Sequence, residues 1–450
     1  MIRKYLLPFF RTRRVKHIST CVSSFFGLWS SAFCSMKKLL LGFLLIIFVQ
    51  SSFSQITQWR GPDRDGIFPD TALLKTWPEN GPEQILEVEG IGKGFSSPII
   101  ENRIIYTTGM IDTMDYLSAI ETDGNFKWQV PYGRSWNKSF PDTRSTPVIE
   151  GNRIYVQSGT GRLACIDKET GKENWAAEID KDFEGEYHVW GNSETPLLVD
   201  DLVICTPGGN RTAVVAFNKI TGEFAWESES LGSPRGYASA TIYEWNGHRL
   251  ILALTAQDLM ALHPETGELV WSYRWHVADD WKWQKNGMII TNTPVCHENE
   301  IFLTMGYDYK AVMLSMDSTG MDVKEKFIDH TFDNHHHGVI LNDGHLYGSN
   351  WYNNKQGRWV CMKWDTGEIK YVHDWESKGS MIMADGLLYC YNERGSVGLF
   401  KPDPDGFEVI SQFKITEGAG PHWAHPYIGE NKLLIRHGDV LMVYNISQNR

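Results

Sequence analysis

Positive charge, long apolar runs and cysteine are all scarce in residues 55–450 of this chain. Eight of its 43 Lys and Arg residues fall in the first 54 positions, which hold no acid, so residues 55–450 carry 35 basic side chains against 55 acidic ones. That balance of minus 20 disfavours nucleic acid and anionic lipid as partners, because both are repelled at long range. Beyond residue 54 no apolar run approaches the ~20 residues that cross a bilayer, so no transmembrane segment is expected there. The five cysteines of this part, Cys165, Cys205, Cys296, Cys361 and Cys390, are odd in number and each sits in an apolar run. They read as buried free thiols rather than disulfides. No two are adjacent, and the chain also lacks a nucleophile elbow, a P-loop, a dinucleotide-binding glycine pattern and an HExxH helix.

What the first 54 residues contain is an export signal. "MKKLLLGFLLIIFVQSSFS" (36–54) has a basic start, an apolar core from Leu39 to Val49 and a small-residue end, with cleavage expected between Ser54 and Gln55. Residues 1–35 precede a serviceable Met36 and read as an over-extended start. The product is expected in the periplasm or outside the cell, as a monomer.

The rest of the chain is repetitive. A Gly closing a polar turn is followed at the fourth position by a Trp in four places: Gly124 and Trp128, Gly171 and Trp175, Gly222 and Trp226, Gly267 and Trp271. The glycines continue at Gly320, Gly367 and Gly406, with spacings of 47, 51, 45, 53, 47 and 39 residues. A period in the forties is that of a four-stranded propeller blade. A second marker keeps step: Ser97-Pro98, Thr146-Pro147, Thr195-Pro196 and Thr293-Pro294 each open an apolar run. Within each unit, short β-branched and aromatic runs are punctuated by Gly, Asn and Asp turns, as four strands a to d require.

Seven units can be drawn, at 97–133, 145–179, 194–230, 238–275, 292–332, 336–375 and 379–415. The segment 425–446 supplies only strands a, b and c of another. "NGPEQILEVEG" near the N-terminus has Gly81 and Ile85 in the Gly-plus-four register, so a strand near 84–90 is expected to complete it. The predicted fold is an all-β, eight-bladed propeller over 97–446, its last blade closed by a strand from the segment 55–96, with 447–450 as a tail. Closure of this kind hides two sheet edges. Lys324, Tyr371 and Ile410 stand where Trp recurs elsewhere, and those three blades are expected to be the least regular.

The segments "CIDKETGKENW" (165–175), "AFNKITGEFAW" (216–226) and "ALHPETGELVW" (261–271) resemble the repeat of the PQQ-binding-like β-propeller superfamily, and the likeness extends over nearly all of 59–446. "QWRGPDRDG" (58–66) is similar to the start of exported members; physically it reads as a Gly-Pro turn in which Arg60, Asp63, Arg64 and Asp65 pair locally. The resemblance implies two branches. One comprises quinoprotein dehydrogenases that oxidise alcohols or sugars with pyrroloquinoline quinone (PQQ) and calcium; the other comprises non-enzymatic propellers, such as the outer-membrane assembly lipoprotein, that bind a partner. The chain departs from the first in having no Cys-Cys and from the second in having no Cys after its signal. Fold does not choose between them.

In a propeller the d-to-a connections emerge on one face. Here they gather eight of the fifteen histidines and many tryptophans. Aromatic faces with Arg, Asp and Asn suit a planar or sugar-like ligand, and the candidates are Trp136, Arg144, Trp190, Asn192, Arg235, Trp283 and Trp423. His335, His336 and His337 are consecutive; in an extended segment only His335 and His337 share a side, and His422 and His425 are further ligands for Zn, Cu or Fe. Calcium wants oxygen ligands, for which Glu186, Glu194 and Asp279 are candidates. The functional expectation is a binding module for a small molecule, glycan or protein at this face. The alternatives are a PQQ- and calcium-dependent dehydrogenase and a carbohydrate-binding or carbohydrate-processing propeller.

Overall fold

The computed structural model describes residues 56–187, 189–275 and 290–448. The expected export signal and the candidates Trp283 and Asp279 lie outside them. Eight four-stranded antiparallel blades are present, and we number them in chain order. Blade 1 is Ile99–Glu101, Ile104–Ile111, Met114–Glu121 and Phe126–Arg134; blades 2 to 7 occupy 148–178, 197–227, 241–274, 295–329, 340–373 and 379–414. Blade 8 is Tyr427–Gly429, Lys432–His437 and Val440–Asn445, completed by Glu83–Val88, which pairs antiparallel with Val440–Asn445. The composite closure is as the sequence predicts. Arg436, fully buried, fastens it: its guanidinium donates to Ser96 Oγ at 2.7 Å and Gly92 O at 2.7 Å, both leading into blade 1.

The two repeat markers are two belts of contacts between neighbouring blades. In the outer belt, the indole N–H of Trp128 donates to Lys168 O of blade 2 (3.1 Å), that of Trp175 to Lys219 O of blade 3 (3.2 Å), and that of Trp226 to Pro264 O of blade 4 (3.2 Å). Each ring also lies against the turn glycine three residues after its acceptor. A Cβ on Gly171, Gly222 or Gly267 would come within 2.3–2.9 Å of the facing ring, and all three have φ near +70°. Gly is required there both for its backbone and for the space. In the inner belt, Ser97 N–H donates to Thr146 Oγ1 (3.0 Å), Thr146 N–H to Thr195 Oγ1 (3.3 Å) and Thr195 N–H to Ser239 Oγ (3.0 Å). The hydroxyl-Pro pair thus ties the first strands to one another around the channel, and blade 4 keeps the hydroxyl in Ser239 although Pro is replaced by Ala240.

Every fourth strand carries a bulge, and the residue after the bulge fills the tryptophan slot. Phe327 fills it in blade 5, seven residues after Gly320, because the hairpin is longer there. It packs on Gly367 of blade 6. The slot therefore does not belong to Lys324. Tyr371 fills it in blade 6 as expected. In blades 7 and 8 the slot falls one residue later than the register predicts, on Ser411 and Leu86. Ile410 and Ile85 are the bulged residues and are 38% and 44% exposed. The outer belt is interrupted between blades 4 and 5, where Trp271 Nε1 is buried without a partner and Gly320 faces the ring of His248.

The N-terminal segment makes the expected local turn, closed by Gly66 N–H to Arg60 O (2.9 Å) and Arg64 N–H to Gly61 O (3.3 Å), and its arginines reach beyond it into the ring. Thr57 exchanges two backbone hydrogen bonds with Ile149 of blade 2 (3.0 and 2.8 Å). Arg64 donates to Thr195 O (3.2 Å) and Pro196 O, leading into blade 3, and to Ala240 O (3.0 Å), leading into blade 4. Arg60 donates to Val339 O (2.9 Å) before blade 6 and Met381 O (3.3 Å) of blade 7. Ile67–Phe68 then pairs parallel with the first strand of blade 7, and Phe68 meets Tyr427 of blade 8 edge-on at 4.8 Å. A segment that reaches the first strands of blades 2, 3, 4, 6, 7 and 8 lies on the ring axis. Both guanidiniums are buried, and desolvation brings each down to about 10, still charged at neutral pH. Of the expected local pairing, only Arg60 to Asp65 O (2.8 Å) and Arg64 to Gln58 Oε1 (2.7 Å) occur. The cysteines are free, and four of the five are buried.

Two stability effects follow. Trp226→Ala removes a buried ring and orphans Pro264 O, so it should cost about 3–5 kcal/mol. Trp271→Ala removes a ring whose N–H has no acceptor, and its denaturation midpoint should drop less; equal drops would contradict the role of the indole hydrogen bond. Arg64→Ala strands three buried carbonyls and should cost at least about 2 kcal/mol. Arg64→Lys should recover only part of that, because a point charge cannot reproduce a planar fork of donors.

Candidate functional site

A cavity of about 490 Å³ opens at the channel mouth on the face of the d-to-a connections. All eight connections contribute to its wall, from Phe95 before blade 1 round to Trp423 and His425 before blade 8. The b-to-c turns of blades 5, 6 and 7 emerge on the same face and add Tyr307, Lys355 and Glu393. Trp59 of the axial segment also lines it, 5.4 Å from the ring of His425.

The wall is aromatic, with cations set into it. Trp190 packs on Tyr237 at 5.4 Å, and Trp423 on Phe95 at 5.1 Å and Phe140 at 5.7 Å. Arg144 lies over the Phe95 ring and donates to the carbonyls of Asp142 (3.2 Å) and Phe140. Those bonds hold the guanidinium against the wall, and burial brings it down only to about 10. Lys378, buried, pairs with Glu393 Oε2 at 2.9 Å. Counting Arg144, Lys355 and Lys378 against Glu393, the described lining of the mouth is positive on a chain that is otherwise strongly acidic.

Arg144, Trp190, Trp423, His335 and His425 of the candidates line this cavity. The other described candidates do not line it. Trp136 is buried against Tyr187 (5.2 Å), with Gly159 and Gly191 against its other parts. Asn192 donates to Ser158 O at 3.3 Å, and Arg235 forms a buried ion pair with Asp180. His422 stacks on His437 at 3.6 Å and is 2.5 Å from the hydroxyl of Tyr391. Glu194 accepts the N–H and hydroxyl of Thr206 (2.8 and 2.9 Å), while Glu186 accepts Asn210 at the surface (2.8 Å). Glu194 is buried and pushed up to about 7, chiefly by desolvation. With both its oxygens committed to Thr206, no calcium cage of oxygen ligands forms among the described residues.

The histidine run is bent rather than extended. Asn334 Oδ1 accepts the N–H of His337 at 3.3 Å, and Gly338 follows with φ +77°, where a Cβ would collide with Arg60. The bend brings the rings of His336 and His337 to 4.2 Å, with His335 and His337 6.2 Å apart. His336, His337 and Glu393 have ligating atoms within 4.8 Å of one another, and this is the one such group of three among the described residues. The alternation that would pair His335 with His337 is overridden by a turn whose Asn and Gly stand in the sequence. Glu393 carried no repeat signal of its own, although its turn shares the face of the connections.

Burial holds these imidazoles neutral: His335 and His425 fall to about 3 and His422 to about 4, with desolvation the largest cause in each. A histidine depressed in the folded state contributes stability above its unfolded value near 6.5, and loses it as pH falls toward the folded value. His425→Gln removes one such group, so the variant should lose less stability than the parent between pH 6.5 and 4, by at most about 1.4 kcal/mol per pH unit. Parallel curves of midpoint against pH would contradict a neutral buried His425.

A family model described as outer membrane protein assembly factor BamB matches residues 113–370, more than half of the 450 residues. BamB of Alkalilimnicola ehrlichii is 25% identical over 185 residues, covering 40% of this chain and 43% of that protein. The 1-butanol dehydrogenase (cytochrome c) of Thauera butanivorans is 24% identical over 308 residues, covering 55% and 44%. The chain spans less than half the length of these curated relatives. Among solved structures, BamB from Moraxella catarrhalis superposes with a TM-score of 0.59 at 16% identity, covering 81% of this chain and 99% of that one. A europium-containing methanol dehydrogenase reaches the same TM-score at 12% identity, covering 84% and 88%. These likenesses share the fold, and the family match over 113–370, which runs from blade 1 into blade 6, places the chain in the PQQ-repeat β-propeller superfamily as a member of the BamB family.

Proposed function

We propose that this propeller is an exported binding module that takes a small organic anion with a planar ring into the mouth of its channel. The observation that carries the reading is the charge and surface of the cavity. Among the described residues its walls are Trp, Tyr and Phe faces, its cations are Arg144, Lys355 and Lys378, and its one carboxylate, Glu393, is already paired. Aromatic faces hold a planar body while a few fixed charges orient it. A negative chain draws no anion from a distance, so the local cations act only on a ligand already at the mouth. The leader at 36–54 and the family's outer-membrane description support placement outside the cytoplasm.

Two other readings have some support. Phe140 and Tyr352 are 56% and 63% exposed beside this face, which favours a protein surface as a further occupant of the rim. The dehydrogenase named among the relatives favours PQQ as the ring-bearing anion. Calcium is the weaker half of that reading, because its candidate oxygen ligands do not converge among the described residues.

PQQ, a planar tricarboxylate, is a suitable probe without added metal. Titration should quench tryptophan fluorescence saturably, and Trp190→Ala and Arg144→Gln should each weaken binding at least about tenfold. Lys127→Ala, on an outer strand, should change nothing. Absence of saturable quenching by PQQ and by simpler aromatic carboxylates would overturn the reading. Dye-linked oxidation of alcohols with PQQ and calcium would move the protein to the dehydrogenase class.

A further inference from the structure

We infer that His336, His337 and Glu393 form a three-ligand site for a first-row divalent metal ion, with its open position facing the cavity. The inference does not depend on which organic ligand enters the mouth. His336 Nε2 lies 3.9 Å from Glu393 Oε1, and His337 Nε2 lies 3.1 Å from the same oxygen. An ion bound at about 2.0–2.1 Å to such ligands separates neighbouring ligand atoms by roughly 3.4 Å in tetrahedral geometry. The two measured separations bracket that spacing.

Several of the remaining atoms of the three residues are held by neighbours. His336 Nδ1 is 3.0 Å from His335 Nδ1, and in the tautomer in which His336 donates there its Nε2 keeps a lone pair. That Nε2 is buried and has no hydrogen-bond partner. His425 donates to His336 O at 2.8 Å, and Lys378 holds Glu393 Oε2; Oε1 accepts from His337 Nε2 at 3.1 Å, so an ion entering between them displaces that proton to His337 Nδ1, which is buried without a partner. Burial keeps both imidazoles in the neutral form that ligates. His336 and Glu393 line the cavity, so a fourth ligand would be water or an oxygen of a bound anion. Two nitrogens and one carboxylate oxygen suit Zn²⁺, Fe²⁺ or Co²⁺ rather than calcium. The nearby Lys378 ammonium limits the affinity.

Tag-free full-length protein titrated with Co²⁺ should take up one ion per chain in equilibrium dialysis, with the visible absorption of a four-coordinate site, and Zn²⁺ should displace it. His336→Ala and Glu393→Gln should each weaken uptake at least about tenfold, with circular dichroism confirming that the fold is kept. Lys378→Met removes a neighbouring positive charge and should tighten uptake, an effect that adventitious surface binding would not show. Failure to bind either metal, or uptake of one ion per chain that His336→Ala and Glu393→Gln leave unchanged, would overturn the site.

Discussion

The structure depends on how each blade is fastened to the next. An isolated four-stranded sheet of this length would expose two apolar faces, and the ring is stable only because neighbours cover both. Here the covering is a repeated contact in which an indole ring lies on the next blade's turn glycine and its N–H satisfies a carbonyl three residues earlier. Burying an aromatic ring contributes a few kcal/mol, and the directed hydrogen bond fixes the register in which it is buried. The hydroxyl belt does the same near the axis with smaller groups. Through blades 1 to 4 both belts run from one blade to its successor, so this part of the ring has a direction as well as a period.

The axial segment converts this ring into a site. A ring of eight blades leaves a channel lined by backbone carbonyls at the ends of its first strands, and buried carbonyls need donors. Arg60 and Arg64 supply several donors each, in planar forks that reach different blades, which lysine could not do. With residues 57–68 in place the channel is filled, and the mouth on the connection side becomes a cavity in which Trp59 forms part of the wall. Arg60 also packs against Gly338 and so supports the bend that gathers the histidines. The closure of the channel and the geometry of the candidate metal site are thus one arrangement.

Much of this was legible in the sequence, because the blade contact demands particular residues at fixed spacing. Gly and Trp four residues apart gave the blades, and the missing fourth strand of the last unit pointed to its N-terminal partner. The reading failed where the contact tolerates substitution. In blades 5, 7 and 8 the distance from the Gly to the slot is longer by one to three residues, so counting from Gly lands on Lys324, Ile410 and Ile85 rather than on Phe327, Ser411 and Leu86. Arg60 and Arg64 sit in the local turn that was read, but the acceptors that tie them to the blades are more than a hundred positions away. Of the site, the connections were readable as a surface, since topology alone places them together. Which residues face inward was not: Trp136 and Arg235 are of the right type but do not line the cavity, while Glu393 belongs to a turn that the repeat does not mark.

The central claim is that residues 57–68 close the chain's own channel and make the cavity one-mouthed. Hydrogen exchange on the peptide covering this segment tests it most directly. If the segment lies on the axis, the amides of Thr57 and Gly66, bonded to Ile149 O and Arg60 O, exchange as slowly as those of the first strands of blades 2 and 7. Exchange at the rate of a free N-terminal arm, with the blades still protected, would contradict it.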